Sequence, residues 1–214
     1  MKEKLIQNNS DELIIFLSGW GCDDVQFKNI ASSRDVLLCW DYTDLQFSFD
    51  FSNYKKCYLI AFSAGVFVAG LIQNLLPKTE LKIAVNGNPL FIDPYYGIPQ
   101  NIRQIFKDLS LDNYMDFRRE YLVFDDEEFE YFNNHSPQRT FESCFEEINK
   151  LENYAAHSNA VMDFDCAILS DNDKIFIPSR QKEYFQGKYK ILHNVAHNVF
   201  YHFKNLDDLI TFVQ

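Results

Sequence analysis

Short runs of apolar residues alternate along this chain with stretches that carry apolar side chains on one helical face. Continuous apolar runs, rather than strict alternation, are typical of strands that are covered on both faces of a sheet. Such runs predict strands at residues 13–17, 35–42, 56–61, 81–85, 165–169 and 188–192. Helical stretches separate several of them, notably residues 64–76. This repetition predicts an α/β fold with a mainly parallel sheet of about six strands and right-handed crossovers.

The strand–helix rhythm breaks at about residue 88 and returns near residue 160. Between them, apolar residues recur at the spacing of amphipathic helices, and each stripe must pack against another surface. The stripes are Ile102, Ile105, Phe106 and Leu109; Tyr114, Phe117 and Tyr121; and Phe141, Cys144, Phe145 and Ile148. We therefore predict a single domain over residues 1–214, with a helical insertion at about 95–160. The acidic run at residues 125–128 is interpreted as a solvated helix end or loop.

Charge and cysteine content narrow the classes of partner and compartment. The 214 residues carry a formal net charge of −11 at pH 7, which disfavours nucleic acid and anionic membrane surfaces as partners. The five cysteines are odd in number and show no CxxC spacing, which indicates free thiols in a reducing compartment. The apolar run at residues 13–17 is too short for a signal peptide or membrane span. We expect a cytoplasmic protein, and a monomer.

Residues 61–65 (AFSAG) contain the strongest local chemical signal. Ser63 stands between a predicted strand and a predicted helix, which is the context of the nucleophile elbow in α/β hydrolases. The tight turn needs small residues two positions before and after the serine. Gly65 meets this directly, and Ala61 stands where glycine is usual. A serine hydroxyl is a weak nucleophile until a base takes its proton, so Ser63 predicts a partner histidine.

The loop after the first predicted strand is a candidate oxyanion hole. Acyl transfer needs two donors aimed at the oxygen that becomes negatively charged. One is expected from the backbone N–H that follows the nucleophile, here Ala64. Residues 18–21 (SGWG) lie after an earlier strand and have glycines that can expose N–H groups, so we predict the Trp20 N–H as the second donor. The alternative is an ordinary glycine-rich turn.

The acid and base of a triad should follow the nucleophile in the order Ser, Asp or Glu, His. Asp171 and Asp173 both lie in the loop after the fifth predicted strand, and we favour Asp173 because the chain then returns into the fold. His197 follows the last predicted strand and is the expected base, with His193 as the alternative. These two histidines are four residues apart, but no HExxH pattern is present. We expect no metal and no cofactor.

At this point the chain resembles the BioG-type pimeloyl-[acyl-carrier protein] methyl ester esterases, a branch of the α/β hydrolases. The resemblance spans nearly the whole chain, and the stretch at 86–99 (NGNPLFIDPYYGIP) is its most specific part. The other matching segments are residues 19–21 (GWG), 61–65 (AFSAG), 117–119 (FRR) and 196–200 (AHNVF).

The resemblance implies removal of the methyl ester from pimeloyl-acyl-carrier protein in biotin biosynthesis. It implies a triad of Ser63, an aspartate in the 171–173 loop and His197, and a helical lid at the predicted insertion. It also implies that basic lid residues hold the acidic carrier protein or its phosphopantetheine. The candidates for this role are Arg103, Lys107, Arg118 and Arg119.

Two other functions are consistent with the same residues. The first is a general esterase or thioesterase of this fold, which acts on small molecules and needs no basic lid surface. The second is a non-catalytic partner-binding protein on a hydrolase fold. It is disfavoured because a suitable residue stands at every triad position.

Overall fold

The computed structural model describes residues 1–203 and 205–214 of the chain. Within these residues, one seven-stranded sheet has the order β1-β3-β2-β4-β5-β6-β7. The strands are β1 (Lys2–Ile6), β2 (Glu12–Leu17), β3 (Asp35–Trp40), β4 (Lys56–Phe62), β5 (Leu81–Val85), β6 (Cys166–Ser170) and β7 (Tyr189–Leu192). All neighbouring pairs are parallel except β1 and β3. Because the other six strands are parallel, their carboxyl ends meet at one edge of the sheet.

The six strands predicted from apolar runs are present, with small shifts at their ends. The prediction of about six strands is one short, because β1 was not recognised. This strand lies at the sheet edge and is mostly exposed, so its sequence KEKLI carries no continuous apolar run. The third strand ends at Trp40, two residues before the predicted end, since Asp41 has a positive φ of 59°.

Helices cover both faces of the sheet. They are α1 (Ala64–Leu71), α2 (Gln100–Lys107), α3 (Tyr114–Tyr121), α4 (Asp126–Asn134), α5 (Phe141–His157), α6 (Pro178–Phe185) and α7 (Leu206–Val213). Successive residues of a strand point to opposite faces, and β2 shows the consequence. Leu13 and Ile15 belong to the core under α1 and α6, whereas Ile14 and Phe16 belong to the core under α7.

In the described chain, helices α2 to α5 all lie between β5 and β6 and fall within the predicted insertion. The three predicted stripes do not include α4, and the acidic run at residues 125–128 is its amino-terminal end. The Asp125 carboxylate accepts a hydrogen bond from the Glu128 N–H at 2.9 Å and caps the helix. The interpretation of this run as solvated is wrong for Glu128. Its side chain is buried and accepts a hydrogen bond from the Phe124 N–H at 2.8 Å.

The start of α1 lies very close to the end of β2. A Cβ atom on Gly65 would lie 2.4 Å from the Leu17 carbonyl oxygen and 2.6 Å from that of Ser18. Only a residue without a side chain fits there. The glycine therefore allows the helix after Ser63 to begin directly against the loop that follows β2.

Two further features concern the whole chain. No helix in residues 1–203 or 205–214 combines the length and apolar character required to cross a bilayer. The five cysteines have free thiols, and four of them are buried: Cys22, Cys39, Cys57 and Cys144.

Candidate active site

Ser63 lies in the turn that joins β4 to α1. Its φ of 54° and ψ of −121° place it in a region that non-glycine residues rarely adopt. The Ser63 N–H donates to the Val85 carbonyl at 2.9 Å, which ties the turn to the end of β5. A left-handed serine held by neighbours on both sides is the geometry of a nucleophile elbow. The side chain thereby projects above the carboxyl edge of the sheet.

The imidazole of His197 lies between Ser63 and Asp173. Its Nε2 is 2.9 Å from the Ser63 Oγ, and its Nδ1 is 2.9 Å from an Asp173 carboxylate oxygen. A carboxylate accepts hydrogen bonds, so this contact is made by the tautomer whose Nδ1–H donates a hydrogen bond to Asp173. In the neutral ring, Nε2 is then an acceptor for the Ser63 hydroxyl. This is the tautomer that can take a proton from serine.

The Asp173 carboxylate is held by backbone donors as well as by His197. Its other oxygen accepts hydrogen bonds from the N–H groups of Ile175 at 2.8 Å and Phe176 at 3.0 Å. The residue is buried, as is His197. The ring of Phe176 stacks on the imidazole, with centroids 6.2 Å apart. The loop therefore fixes the carboxylate and the ring plane together.

Asp171 pairs with a different histidine. It lies 2.9 Å from the Nδ1 of His193, whose side chain is 74% exposed. It also accepts a hydrogen bond from the Asn194 N–H at 2.9 Å. Partial burial tends to raise the pKa of the Asp171 carboxyl, but its contacts with His193 and Asn194 together lower that pKa below its ordinary value. Of the two alternatives that the sequence left open, the structure brings Asp173 and His197 to Ser63. It does not bring Asp171 and His193 there.

The two residues predicted to supply oxyanion donors lie on the wall of one cavity with Ser63. Trp20 and Ala64 both line the cavity that contains Ser63 and His197. Within the described residues, neither N–H donates to a backbone carbonyl. Both backbone donors on this cavity wall are therefore without a backbone acceptor in the described chain.

This cavity has a volume of about 50 Å³ and a mostly apolar wall. The sheet side contributes Phe91 and Ile175, and the insertion contributes Phe106, Phe117 and Phe132. Ordered water needs several polar partners, which such a wall offers at few points. An acyl chain is the kind of group that this surface favours.

Arg118 is the one lining side chain with a permanent charge among the described residues. It is 7% exposed, and its guanidinium lies over the Tyr114 ring at 4.3 Å and the Phe132 ring at 5.6 Å. It donates a hydrogen bond to the Tyr114 hydroxyl at 3.2 Å. In the described part of the chain, no carboxylate lies within ion-pair distance of it. Among the described residues, the partners of this largely buried guanidinium are therefore a phenol hydroxyl and two aromatic rings.

The four basic residues predicted to bind the carrier differ in their surroundings. Arg118 faces the cavity, whereas Arg103 pairs with Glu152 at 3.2 Å. Arg119 is exposed and pairs with Asp126, and Lys107 is exposed near the end of α2.

Asn86 lies in the family-like stretch at 86–99, but the sequence did not predict the structural part that it plays. Its buried side chain donates to the His197 carbonyl at 2.8 Å and to the Ser170 hydroxyl at 2.7 Å. The amide oxygen accepts from the Ser170 N–H at 2.7 Å. Asn86 therefore joins the ends of β5 and β6 to the loop that carries the base. Its place directly after an apolar strand is a signal that could have found it.

A family model described as "Pimeloyl-ACP methyl esterase BioG" matches residues 1–209 of this chain. An uncharacterised protein of Haemophilus influenzae is 32% identical over 192 residues, which cover 86% of this chain and 87% of that protein. A malonyl-[acyl-carrier protein] O-methyltransferase of Bacteroides fragilis is 32% identical over 183 residues, or 82% of this chain. The matched region is 36% of that longer protein.

Solved structures agree with the family match. The crystal structure of BioG from Haemophilus influenzae superposes with a TM-score of 0.86 at 28% identity, covering 98% of this chain and 99% of that chain. A lipase-esterase related protein from Clostridium acetobutylicum has a TM-score of 0.61 at 12% identity, covering 99% of both chains. The second match shows the fold alone, and the predicted α/β-hydrolase fold is confirmed. With the family model matched over residues 1–209, this chain belongs to the BioG family of biotin synthesis.

Proposed function

We propose that the protein is a serine carboxylic ester hydrolase that removes the methyl ester of pimeloyl-[acyl-carrier protein] methyl ester. The observation that carries this proposal is the chain of contacts from Ser63 through His197 to Asp173, with both contacts at 2.9 Å. This chain of contacts stands at a mostly apolar cavity. Membership of the BioG family supports the same substrate.

The proposed reaction has two steps. His197 takes the Ser63 proton as the Oγ attacks the ester carbonyl, and the ring then returns the proton to the departing methanol. Water next attacks the acyl-enzyme, with His197 again as base, and releases the free carboxylate and Ser63. Asp173 keeps the ring in its tautomer and stabilises the imidazolium. The N–H groups of Trp20 and Ala64 stabilise the negative oxygen in each step.

The Bacteroides fragilis relative supports an ester substrate on a carrier protein. Its name describes methyl transfer to an oxygen of a malonyl group bound to acyl-carrier protein, which produces a methyl ester. The region of that protein that is similar to this chain makes up 36% of its length. A hydrolase-like region and a methyltransferase therefore share one polypeptide. A methyl ester made on a carrier-bound acid requires a later hydrolysis to regenerate the acid.

Arg118 fits the carrier's arm better than the folded carrier itself. A side chain that is 7% exposed cannot be reached by a protein surface, whereas a phosphopantetheine arm can enter a narrow cavity. A buried guanidinium without an ion-pair partner is costly, and an amide oxygen or phosphate of the arm would compensate for it. The exposed Lys107 and Arg119, with Arg103, remain the proposed contacts for the acidic carrier surface.

The cavity volume supports a lid function for helices α2 to α5. A cavity of about 50 Å³ holds only a few water-sized groups, since one water needs about 10–15 Å³ by the same measure. A pimeloyl chain with its arm needs more room. We therefore propose that the insertion opens outward to admit the substrate.

The substrate assignment predicts complete turnover of carrier-bound substrate. Wild-type protein should convert methyl-pimeloyl-acyl-carrier protein to the free acid, and Ser63→Ala should leave this substrate uncleaved. The change in electrophoretic mobility of the carrier protein measures the conversion. Loss of the nucleophile removes the covalent route and lowers the rate by about 10⁶-fold. Cleavage of a simple nitrophenyl ester through Ser63, with the carrier substrate spared, would indicate a general small-molecule esterase instead.

The assignment of the triad acid predicts a difference between two neighbouring variants. Asp173→Asn should lower kcat by about 10⁴-fold, since the amide favours the wrong imidazole tautomer. Asp171→Asn should stay within about twofold of wild type, because its partner is the exposed His193. Steady-state kinetics on a nitrophenyl ester measure both. Our assignment is wrong if Asp171→Asn shows the larger loss.

The proposed role of Arg118 predicts a defect that depends on the arm. Arg118→Met keeps an apolar stem but should raise KM for the carrier substrate about 10-fold or more, as expected for a lost hydrogen bond to a charged group. Hydrolysis of nitrophenyl acetate, which has no arm, should be nearly unaffected. Arg180→Met is the matched control, because Arg180 contacts the Gly97 carbonyl outside the cavity wall. Equal effects on the two substrates would contradict the role.

A further inference from the structure

The loop that carries Trp20 is held by a helix of the insertion. The Trp20 indole Nε1 donates to the Cys144 carbonyl of α5 at 2.6 Å. The next residue, Gly21, has a positive φ of 71°, and its N–H donates to a Glu147 carboxylate oxygen at 3.0 Å. Trp20 is thus fixed through its side chain and through the peptide that follows it.

Glu147 joins three separate segments of the chain. One carboxylate oxygen accepts from the Tyr42 N–H at 2.8 Å, and the other accepts from Gly21. That second oxygen also lies 2.5 Å from the Arg139 guanidinium. Arg139 in turn lies 3.1 Å from an Asp41 oxygen. The carboxylate therefore connects the loop after β2, the turn after β3 and the residues before α5.

Burial of these charged groups costs free energy, because they lose their contacts with water. Glu147 has no exposed surface, and burial raises the pKa of its carboxyl, with the Arg139 charge acting in the opposite direction. A buried ion pair is weak evidence for stability, because packed apolar residues are often as stable. The carboxylate instead fixes the orientation of two backbone N–H groups, because each of its oxygens accepts a hydrogen bond from one of them. One of those N–H groups is next to the predicted oxyanion donor.

We propose that Glu147 is a positioning residue for ester hydrolysis, which holds the Trp20–Gly21 peptide so that the Trp20 N–H faces the oxygen bound at Ser63. This role rests on the proposed serine mechanism. Glu147 does not touch the substrate, and it acts only through the loop. The insertion thereby supplies part of the oxyanion geometry, in addition to a wall of the cavity.

The test is Glu147→Gln on a nitrophenyl ester, with rates normalised to the folded fraction measured by circular dichroism. A glutamine offers one oxygen where two N–H groups need acceptors, so the loop is released or misdirected. We expect kcat to fall about 10- to 100-fold, less than the roughly 10²–10³-fold cost of losing a whole donor. KM should stay within about threefold. The affinity for phenylboronic acid, whose adduct with serine places an oxygen in the hole, should fall in parallel with kcat.

Glu128→Gln is the matched control. Glu128 is also a buried carboxylate of the insertion, and it accepts a backbone N–H from Phe124 at 2.8 Å, but it does not contact the Trp20 loop. It should keep wild-type kcat and boronate affinity. Trp20→Phe is a second probe for the case in which Glu147→Gln does not fold. It removes the hydrogen bond to Cys144, so kcat should fall while KM stays nearly unchanged.

If Glu147→Gln folds, three results would overturn the proposal. They are a folded Glu147→Gln with unchanged kcat, a fall in kcat without a fall in boronate affinity, and an equal loss in Glu128→Gln. If Glu147→Gln does not fold, unchanged kcat in Trp20→Phe overturns it as well. Ser63→Ala is measured in parallel, and nitrophenyl esterase activity retained there would instead refute the serine mechanism itself.

Discussion

The left-handed conformation of Ser63 is the constraint on which the other parts of the site depend. Its φ of 54° is tolerated because the turn is held by the Val85 carbonyl and because Gly65 lets α1 approach β2. The same close approach recurs at Gly87, where a Cβ atom would lie 2.4 Å from the Ser63 carbonyl oxygen. Strain of this kind persists only where the surroundings over-determine it. Here the ends of three parallel strands do so.

The insertion is connected to both functional loops. Glu147 holds the loop of Trp20, and the Asn198 N–H beside the base donates to the Leu122 carbonyl at 2.8 Å. Outward movement of α2 to α5 would therefore loosen the loop of the proposed oxyanion donor and the loop of the proposed base together. If the insertion acts as a lid, closure over a substrate and completion of the reactive geometry are one event. Exclusion of water by the apolar wall would accompany it.

The sequence predicted the sheet well because its central strands are buried on both faces and leave long apolar runs. It missed β1, whose KEKLI sequence lies exposed at the sheet edge, and it treated Glu128 as solvated although its carboxylate is buried. Local motifs were enough to select Ser63 and His197 as candidate nucleophile and base, because the fold sets where these residues stand relative to the strands. The sequence favoured Asp173 over Asp171 only because the chain then returns into the fold, since both follow the same strand and the partner of each carboxylate is what distinguishes them. The burial of Arg118 and the bonds of Glu147 depend on tertiary packing of the insertion, which no short-range pattern records.

The activation of Ser63 by His197 is tested most directly by locating where a serine-reactive fluorophosphonate attaches, with peptide mass mapping of the wild type and of His197→Ala. Such activation predicts one modified residue, Ser63, and a rate of labelling that falls by orders of magnitude without the histidine. Modification of another serine, or equally fast labelling of Ser63 in His197→Ala, would contradict the proposed mechanism.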